Sequence, residues 1–417
     1  MPNIITRDRH TVSRKDISGN ALKVLYKLHN AGYESYLVGG AVRDLLLDGN
    51  PKDFDVATEA TPEQVKHLFR NCRLIGRRFR LAHVVFGRDV IEVATFRSGN
   101  DDGSGERQVG DTGRVVRDNI YGSVDDDAIR RDFTANALYY SIADFSIRDD
   151  VNGFEDISNR VLRLIGDPET RYREDPVRML RAVRLAAKLG FTIEPATAEP
   201  IARLASLLGD VSPARLYEET KKLFLSGHAV ASFEGLEQFG LLTWLFPGSA
   251  RAMQKNRSGA LRRIVLQGLA NTDERIARGD CCAPYFLFAV MMWPDFCYEL
   301  NRLEKGGMNS ADAQRRAADR VVVQQLGQIA IPRRDTLPMQ ETWLMQERLK
   351  TRQRRRVSRL LTHPRFRAAY DFLLLRSEAA QQHADDVEFW TQAQNLPADA
   401  LDAMLANGNE RAKRKGA

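Results

Sequence analysis

Two carboxylates, Asp53 and Asp55, flank Phe54 in the run Lys52-Asp53-Phe54-Asp55-Val56. Side chains two residues apart in a strand share a face, so this spacing brings both acids to one side while Phe54 and Val56 turn to the other. Carboxylates that close repel unless a cation neutralises them, and hard oxygen donors with no soft ligand beside them suit Mg2+. The chemistry on offer is metal-assisted phosphoryl transfer. Upstream, Tyr36-Leu37-Val38-Gly39-Gly40-Ala41-Val42-Arg43-Asp44 is an apolar strand that gives way through two glycines to a helix. Gly39 and Gly40 let backbone approach a phosphate, whose charge the helix N-terminus favours. Arg43, one turn into that helix, would add a fixed cation.

The elements that must hold these groups are legible around them. Ile17, Ala21, Leu22, Leu25 and Leu28 recur at helical spacing after a polar, basic arm that runs to Asp16. Asp48-Gly49-Asn50-Pro51 is a tight turn between the first helix of the glycine stretch and the strand of Asp53 and Asp55. Thr61, Pro62 and Gln64 form a helix start with a capping box, and that helix is expected to end near Asn71. Three strand-like runs follow, Arg73 to Phe79, Ala82 to Phe86 and Val90 to Phe96, broken by Gly76 and Gly87. The last carries Glu92, a third carboxylate on what should be a neighbouring strand. Ser98 to Asp127, glycine-rich and charged, reads as a long mobile loop. From Asp167 onward helical periodicity dominates. The fold class expected is α+β and multidomain: a mixed α/β head at 17–156, then all-helical parts at 157–250, 251–350 and 351–417.

The combination of Gly39-Gly40-Ala41-Val42-Arg43-Asp44 with Asp53-Phe54-Asp55 resembles the nucleotidyltransferases of the polymerase-beta superfamily. It is more closely similar to the group containing bacterial poly(A) polymerases and class II CCA-adding enzymes. The resemblance implies two Mg2+ ions on Asp53 and Asp55, with Glu92 as a further candidate ligand and ATP as substrate. Arg130-Arg131-Asp132-Phe133-Thr134 resembles the family motif in which the arginine meets triphosphate and the aspartate lies by the ribose and active centre. We expect it on a helix, with Phe133, Ala137, Leu138 and Tyr140 packed inward while Arg131 and Asp132 project. Glu174-Asp175-Pro176-Val177-Arg178 looks like the family's base-recognition motif, in which Asp175 and Arg178 would offer an acceptor and donors to a base edge. Arg181 and Arg184, on the same helical face as Arg178 and Lys188, would then face triphosphate.

Leu74-Ile75-Gly76-Arg77-Arg78-Phe79-Arg80-Leu81-Ala82-His83-Val84 looks like the signature that separates bacterial poly(A) polymerases from CCA-adding enzymes. Within it Arg77 and Arg78 would contact RNA phosphates, and His83 is expected to be a packed histidine. Arg352, Arg354, Arg355 and Arg356, with Arg359, precede an aromatic-containing stretch from His363 to Phe372, a combination suited to RNA phosphates and base stacking.

Composition agrees. The net charge of +7 over 417 residues suits a polyanionic partner, and 43% hydrophobic residues suffice for real cores. Cys72, Cys281, Cys282 and Cys297 form no Cys-x-x-Cys pair, which points to buried, reduced thiols in a cytoplasmic protein rather than to zinc or disulfides. The longest apolar run, Ala283 to Trp293, falls short of the roughly 20 residues a membrane span needs. The expected activity is template-independent addition of AMP from ATP to RNA 3' ends with release of pyrophosphate. RNA-decay factors are candidate partners, and a monomer is the expected state. A CCA-adding enzyme shares every catalytic motif quoted and is the nearest rival. An inactive RNA-binding protein on the same scaffold is disfavoured by the intact Asp53, Asp55, Arg131, Asp132, Asp175 and Arg178. A metal-dependent phosphohydrolase is disfavoured because no His-Asp dipeptide occurs.

Overall fold

An eight-stranded mixed sheet organises the first half of the chain. The computed structural model describes residues 2–76, 80–98, 107–109, 115–118, 121–380, 383–397 and 399–405. These pack as two compact units, Met1–Leu207 and Leu208–Ala417. In chain order the first unit contains β1 (Asn3–Ile5), α1 (Gly19–Asn30), β2 (Ser35–Val38), α2 (Gly40–Leu46), β3 (Asp55–Thr58), α3 (Pro62–Leu68), β4 (Cys72–Ile75), β5 (Leu81–Phe86) and β6 (Asp89–Thr95). A two-stranded hairpin, β7 (Arg107–Val109) with β8 (Val115–Asp118), precedes α4 (Val124–Arg130), β9 (Leu138–Ser141), β10 (Ile147–Asp149) and α5 (Gly153–Ser158). After β11 (Val161–Leu162) come α6 (Pro168–Glu174) and α7 (Val177–Leu189).

The large sheet runs β1-β10-β9-β2-β3-β6-β5-β4. All its pairs are antiparallel except β3 with β6, whose parallel register sets Asp55 opposite Glu92. The N-terminal segment is therefore not a free arm: Asn3 to Ile5 add an edge strand on β10, and His10 packs edge-on against the Tyr140 ring. α1 buries Ala21, Leu25 and Leu28 as read from sequence, with Val24 in place of Leu22, which is only half-buried, and Ile17 is buried just ahead of the helix. α3 opens with the capping box expected, Thr61 accepting from the Gln64 amide and Gln64 from that of Thr61, but it stops at Leu68.

Arg131 to Phe133 differ from expectation. α4 ends at Arg130, Arg131 and Phe133 are extended and a 3-10 turn, Thr134–Asn136, follows, held by backbone bonds from the Thr134 amide to the Arg163 carbonyl and from the Ile165 amide to the Asp132 carbonyl. Phe133, Ala137, Leu138 and Tyr140 are buried as expected, although they flank a single 3-10 turn and enter β9 rather than lying on one helix. α4 also starts at Val124, inside the stretch expected as loop. Most of 99–120 lies outside the described residues apart from the β7–β8 hairpin.

The second unit is helical throughout its described residues. One of its cores gathers Met345, Leu349, Val357, Leu360, Phe366, Tyr370 and Trp390 beneath the helix Arg354–Leu361. Among the described residues no helix is long and apolar enough to cross a membrane. Of the free cysteines, Cys72 is buried, whereas Cys281 is exposed and Cys282 and Cys297 are half-buried, so the expectation of four buried thiols fails.

Candidate active site

The site forms where the β2–α2 turn, the start of β3 and the Asp132 segment meet. Gly39 sits at φ 73 and ψ −136, a conformation in which a side chain would be strained, and a Cβ there would lie 3.5 Å from Arg131 Nη1. α2 begins at the next residue. Asp53 and Asp55 are both exposed, with buried Phe54 between them and buried Val56 beyond, so the alternation read from sequence holds into β3. Asp53 lies just before the strand and Asp55 is its first residue.

Crowding by protein, the Glu92 carboxylate and that of Asp53 together push the Asp55 carboxyl up to about 6, against the pull of Arg131. A folded-state value raised above the unfolded one means that charging Asp55 disfavours the fold. That unfavourable effect is absent below the unfolded value near pH 4 and complete above about pH 6. Asp55→Asn should therefore raise the melting temperature of chelator-treated protein at pH 8 and lose this advantage towards pH 4. Scanning calorimetry at the two pH values checks it; equal differences at both would contradict the crowding inferred for Asp55.

Glu92 is half-exposed, and its Oε1 lies 3.2 Å from His83 Nε2 across the β5–β6 pair. His83, expected to be merely packed, thus has an acidic partner. Among the described residues no three acidic, histidine or cysteine side chains stand close enough to form a ligand set by themselves. Mg2+ is commonly held by one or two carboxylates, with substrate phosphates and water completing its shell. Asp53 and Asp55 fit that role, whereas Glu92 borders the pair from the adjacent strand.

Arg43 does not present its charge openly. It is only 4% exposed, its guanidinium bonded to Asp44 and to Asn136 Oδ1 and packed under Gly40. The first turn of a short helix buries its inward face, and Arg43 lies on it. It buttresses the glycine turn. Asn136 in turn donates to Asp132 at 3.2 Å. Asp132 accepts two bonds from Arg181 and one from the Phe133 amide. Burial works to raise the Asp132 carboxyl, but Arg181, Asn136 and the Phe133 amide outweigh it and hold it well below the usual range. Arg181, expected to face triphosphate, is thus engaged with Asp132.

Arg131 is held from beneath. Its Nε lies 2.8 Å from the Tyr139 hydroxyl, and Nη2 lies 3.0 Å from Asp127, which also accepts from Tyr139 at 2.7 Å. Burial favours the neutral form of Arg131, yet Tyr139 and Asp127 more than offset it and keep the guanidinium charged.

α7 buries Met179, Leu180, Ala182, Val183 and Leu185, and its opposite face carries half-buried Arg178, Arg181 and Arg184. Asp175 lies in the break between α6 and α7, where Pro176 interrupts the helix, and accepts from the Val177 amide. Arg178 Nη1 donates to Glu174 at 3.0 Å and to the Arg171 carbonyl at 2.7 Å. Lys188 reaches Asp44 at 3.0 Å, joining α7 to α2. Arg77 and Arg78 lie outside the described residues. In the second unit Arg352 stacks on Phe389 and bonds Asp386, and Arg354 pairs with Asp402, while Arg355, Arg356 and Arg359 are exposed.

Residues 35–163 match the family "Poly A polymerase head domain", 190–253 match "Probable RNA and SrmB- binding site of polymerase A", and 306–417 match "Polymerase A arginine-rich C-terminus". The chain is 53% identical to Poly(A) polymerase I of Salmonella typhi over 379 residues, 90% of this chain and 82% of that one. This chain belongs to the poly(A) polymerase family. The CCA-adding enzyme of Lactobacillus helveticus is a more distant relative of this poly(A) polymerase family member, 39% identical over 52% of this chain and 53% of its own. The crystal structure of the CCA-adding enzyme of Bacillus stearothermophilus with CTP superposes with a TM-score of 0.58 at 25% identity, covering 95% of this chain and 98% of its own. The nucleotidyltransferase architecture is thus common to both branches, while the sequence over nearly its whole length sides with the poly(A) branch.

Asn136, Asp127, Tyr139 and Arg171 complete the site without having been singled out from sequence. The only signal available was their nearness in the chain to Asp132 and Asp175, which does not reveal a buried network.

Proposed function

We propose that the protein is a polynucleotide adenylyltransferase, extending RNA 3' ends with AMP from ATP and releasing pyrophosphate. The observation that carries the reading is the Asp53–Asp55 pair beside the Gly39 turn in a chain 53% identical to a poly(A) polymerase I. Asp53 and Asp55 would hold the divalent ions. When bound, such ions acidify the attacking 3'-hydroxyl and neutralise charge on the α-phosphate as pyrophosphate leaves in line. The Gly39–Gly40 turn leaves room for phosphate. Arg131, kept charged by Asp127 and Tyr139, stands behind that turn, where negative charge collects. Asp132 fixes Arg181 and, through Asn136, the buttress of the turn.

Base choice falls to Asp175 and Arg178, which stand at the junction of α6 and α7. Asp175→Ala should lower discrimination of ATP against CTP by on the order of 1 to 3 kcal/mol, as for other bidentate base readers. Separate kcat/KM values for each triphosphate test this, and unchanged selectivity would move the base pocket elsewhere.

The product distinguishes the two branches of the superfamily. Phosphate contacts carry no sequence information, so exposed Arg355, Arg356 and Arg359 suit a grip that slides along a growing tail. Given single-stranded RNA, Mg2+ and ATP alone, the protein should make long heterogeneous tails, shortened by salt. The decisive control is a tRNA lacking its CCA end, offered each triphosphate. Addition confined to that tRNA and halting after two cytidines and one adenosine would install the CCA reading. RNA-decay factors are the partners this activity suggests, since a single-stranded tail gives a decay enzyme a place to start.

A further inference from the structure

Arg171, on α6, carries no role in the chemistry above, yet its side chain is only 15% exposed and its bonds tie three parts of the site together. Nη2 donates to two backbone carbonyls, those of Arg130 and Arg131, each at 2.7 Å. Nη1 donates to Glu174 Oε2 at 2.9 Å, and the same oxygen accepts from Arg178 Nη1 at 3.0 Å. Arg178 returns to the carbonyl of Arg171 itself at 2.7 Å. One guanidinium therefore clamps the backbone that carries Arg131 and Asp132 and, through Glu174, the side chain proposed to read the base.

This arrangement is not a simple ion pair. Arg171 and Arg178 are like charges that share one carboxylate, and burial together with Arg178 makes the charged form of Arg171 less favourable than usual. Such a contact needs an offsetting gain, and carbonyl clamping by a planar fork supplies geometric precision that a lysine ammonium cannot copy.

We infer that Arg171 is a positioning residue that couples base choice to catalysis: it holds the Arg131–Asp132 backbone and the base-reading Arg178 as one rigid piece. The inference rests on the base-reading role proposed for Asp175 and Arg178. A correct base that docks on Arg178 then fixes α6, and with it the carbonyls that set where Arg131 and Asp132 stand. A mispaired base leaves Arg178 displaced and that strain reaches the catalytic segment through Glu174 and Arg171.

The test uses the full-length protein with Mg2+, RNA primer, and ATP or CTP. Arg171→Lys and Arg171→Ala are compared with Glu174→Gln, and melting temperatures confirm folding. Displacement of a reacting group by about 1 Å costs on the order of 10²-fold, so kcat with ATP should fall by roughly that factor while KM for ATP changes far less. The ATP-to-CTP ratio of kcat/KM should narrow by about threefold or more in Arg171→Ala, and Arg171→Lys should not rescue it. Glu174→Gln, which keeps the shape but weakens the link, should narrow selectivity with a smaller loss of kcat. If Arg171→Ala does not fold, Arg171→Lys and Glu174→Gln carry the test. A rise in KM with kcat and selectivity intact would overturn the inference, as would recovery of both by lysine. Should Asp175→Ala blur base choice while folded Arg171 variants do not, the coupling fails and the base-reading role stands. Should Asp175→Ala leave selectivity untouched, the base-reading role itself fails.

Discussion

Asp55→Asn and Asp53→Asn should each lower nucleotide addition by about 10³-fold or more, because a metal pair that loses one carboxylate no longer holds the reacting oxygens in line. Neither change should damage the fold. Asp53 is exposed ahead of β3, and Asp55 is an exposed first residue whose charge the folded state disfavours. The two effects therefore move in opposite directions for Asp55: activity vanishes while the melting temperature at neutral pH holds or rises. RNA binding measured by filter retention should stay near the parental level, since the phosphate contacts proposed above for Arg355, Arg356 and Arg359 are untouched. Inactivity with a lowered melting temperature would instead mean that Asp55 is a structural residue. Retention of more than a small fraction of turnover by either folded variant would displace the metal pair from Asp53 and Asp55. Glu92→Gln sorts the third acid. Because Glu92 is half-exposed and borders the pair from the adjacent strand, its loss should matter less than that of either aspartate.

The parts of this molecule that follow from local rules were legible in the sequence. Asp53 and Asp55 are both exposed around buried Phe54, the Thr61–Gln64 capping box starts α3, and Ala21, Leu25 and Leu28 of α1 face the core, as read, although Asp53 lies just ahead of β3 and Val24 takes the buried place read for Leu22. Legibility failed where tertiary partners decide. Arg131 and Asp132 follow an acidic helix start with good helix formers around them, yet residues 163–165 supply the backbone partners that make the segment extended. Likewise the first residues, read as part of a polar arm, become an edge strand because β10 offers its unpaired side to Asn3–Ile5 and Ile5 is buried.

Arginines were the least legible residues of the site. Their number and spacing announced a polyanionic ligand, but whether a given guanidinium faces the ligand or buttresses the backbone depends on acceptors distant in sequence. Arg43 finds Asn136, 93 positions away, and Arg181 finds Asp132, 49 away. Arg171 finds the carbonyls of Arg130 and Arg131. A helical wheel puts Arg178, Arg181 and Arg184 on one face, and nothing in it distinguishes their duties.

The buried network under the glycine turn gives the largest stability prediction. Asp127 is buried and accepts from the Arg131 guanidinium and the Tyr139 hydroxyl, and its Oδ1 lies 3.4 Å from the Arg97 amide. Tyr139 itself is fully buried in the cluster with Val38, Ala57, Phe96, Val124 and Ala128. Asp127→Ala leaves a cation and a hydroxyl without their acceptor in a place that water enters poorly. Breaking one side of such a buried pair costs about 3 to 5 kcal/mol, and the partial exposure of Arg131 puts the expectation at the lower end, about 3 kcal/mol. Tyr139→Phe removes one hydrogen bond and should cost only about 1 kcal/mol. The double variant should lose less than the sum, because both changes delete the same contact. All four tryptophans, at positions 244, 293, 343 and 390, lie in the second unit, so the first unit carries no tryptophan to report on this network. Amide hydrogen exchange on β9 and α4 reads it directly. Asp127→Ala should speed exchange there by about two decades, which corresponds to that loss of stability. It should also raise KM for ATP, because Arg131 is no longer aimed beneath the turn. Protection within a few-fold of the parent would mean that Arg131 and Tyr139 satisfy each other without Asp127, and the network would then contribute to neither stability nor aim.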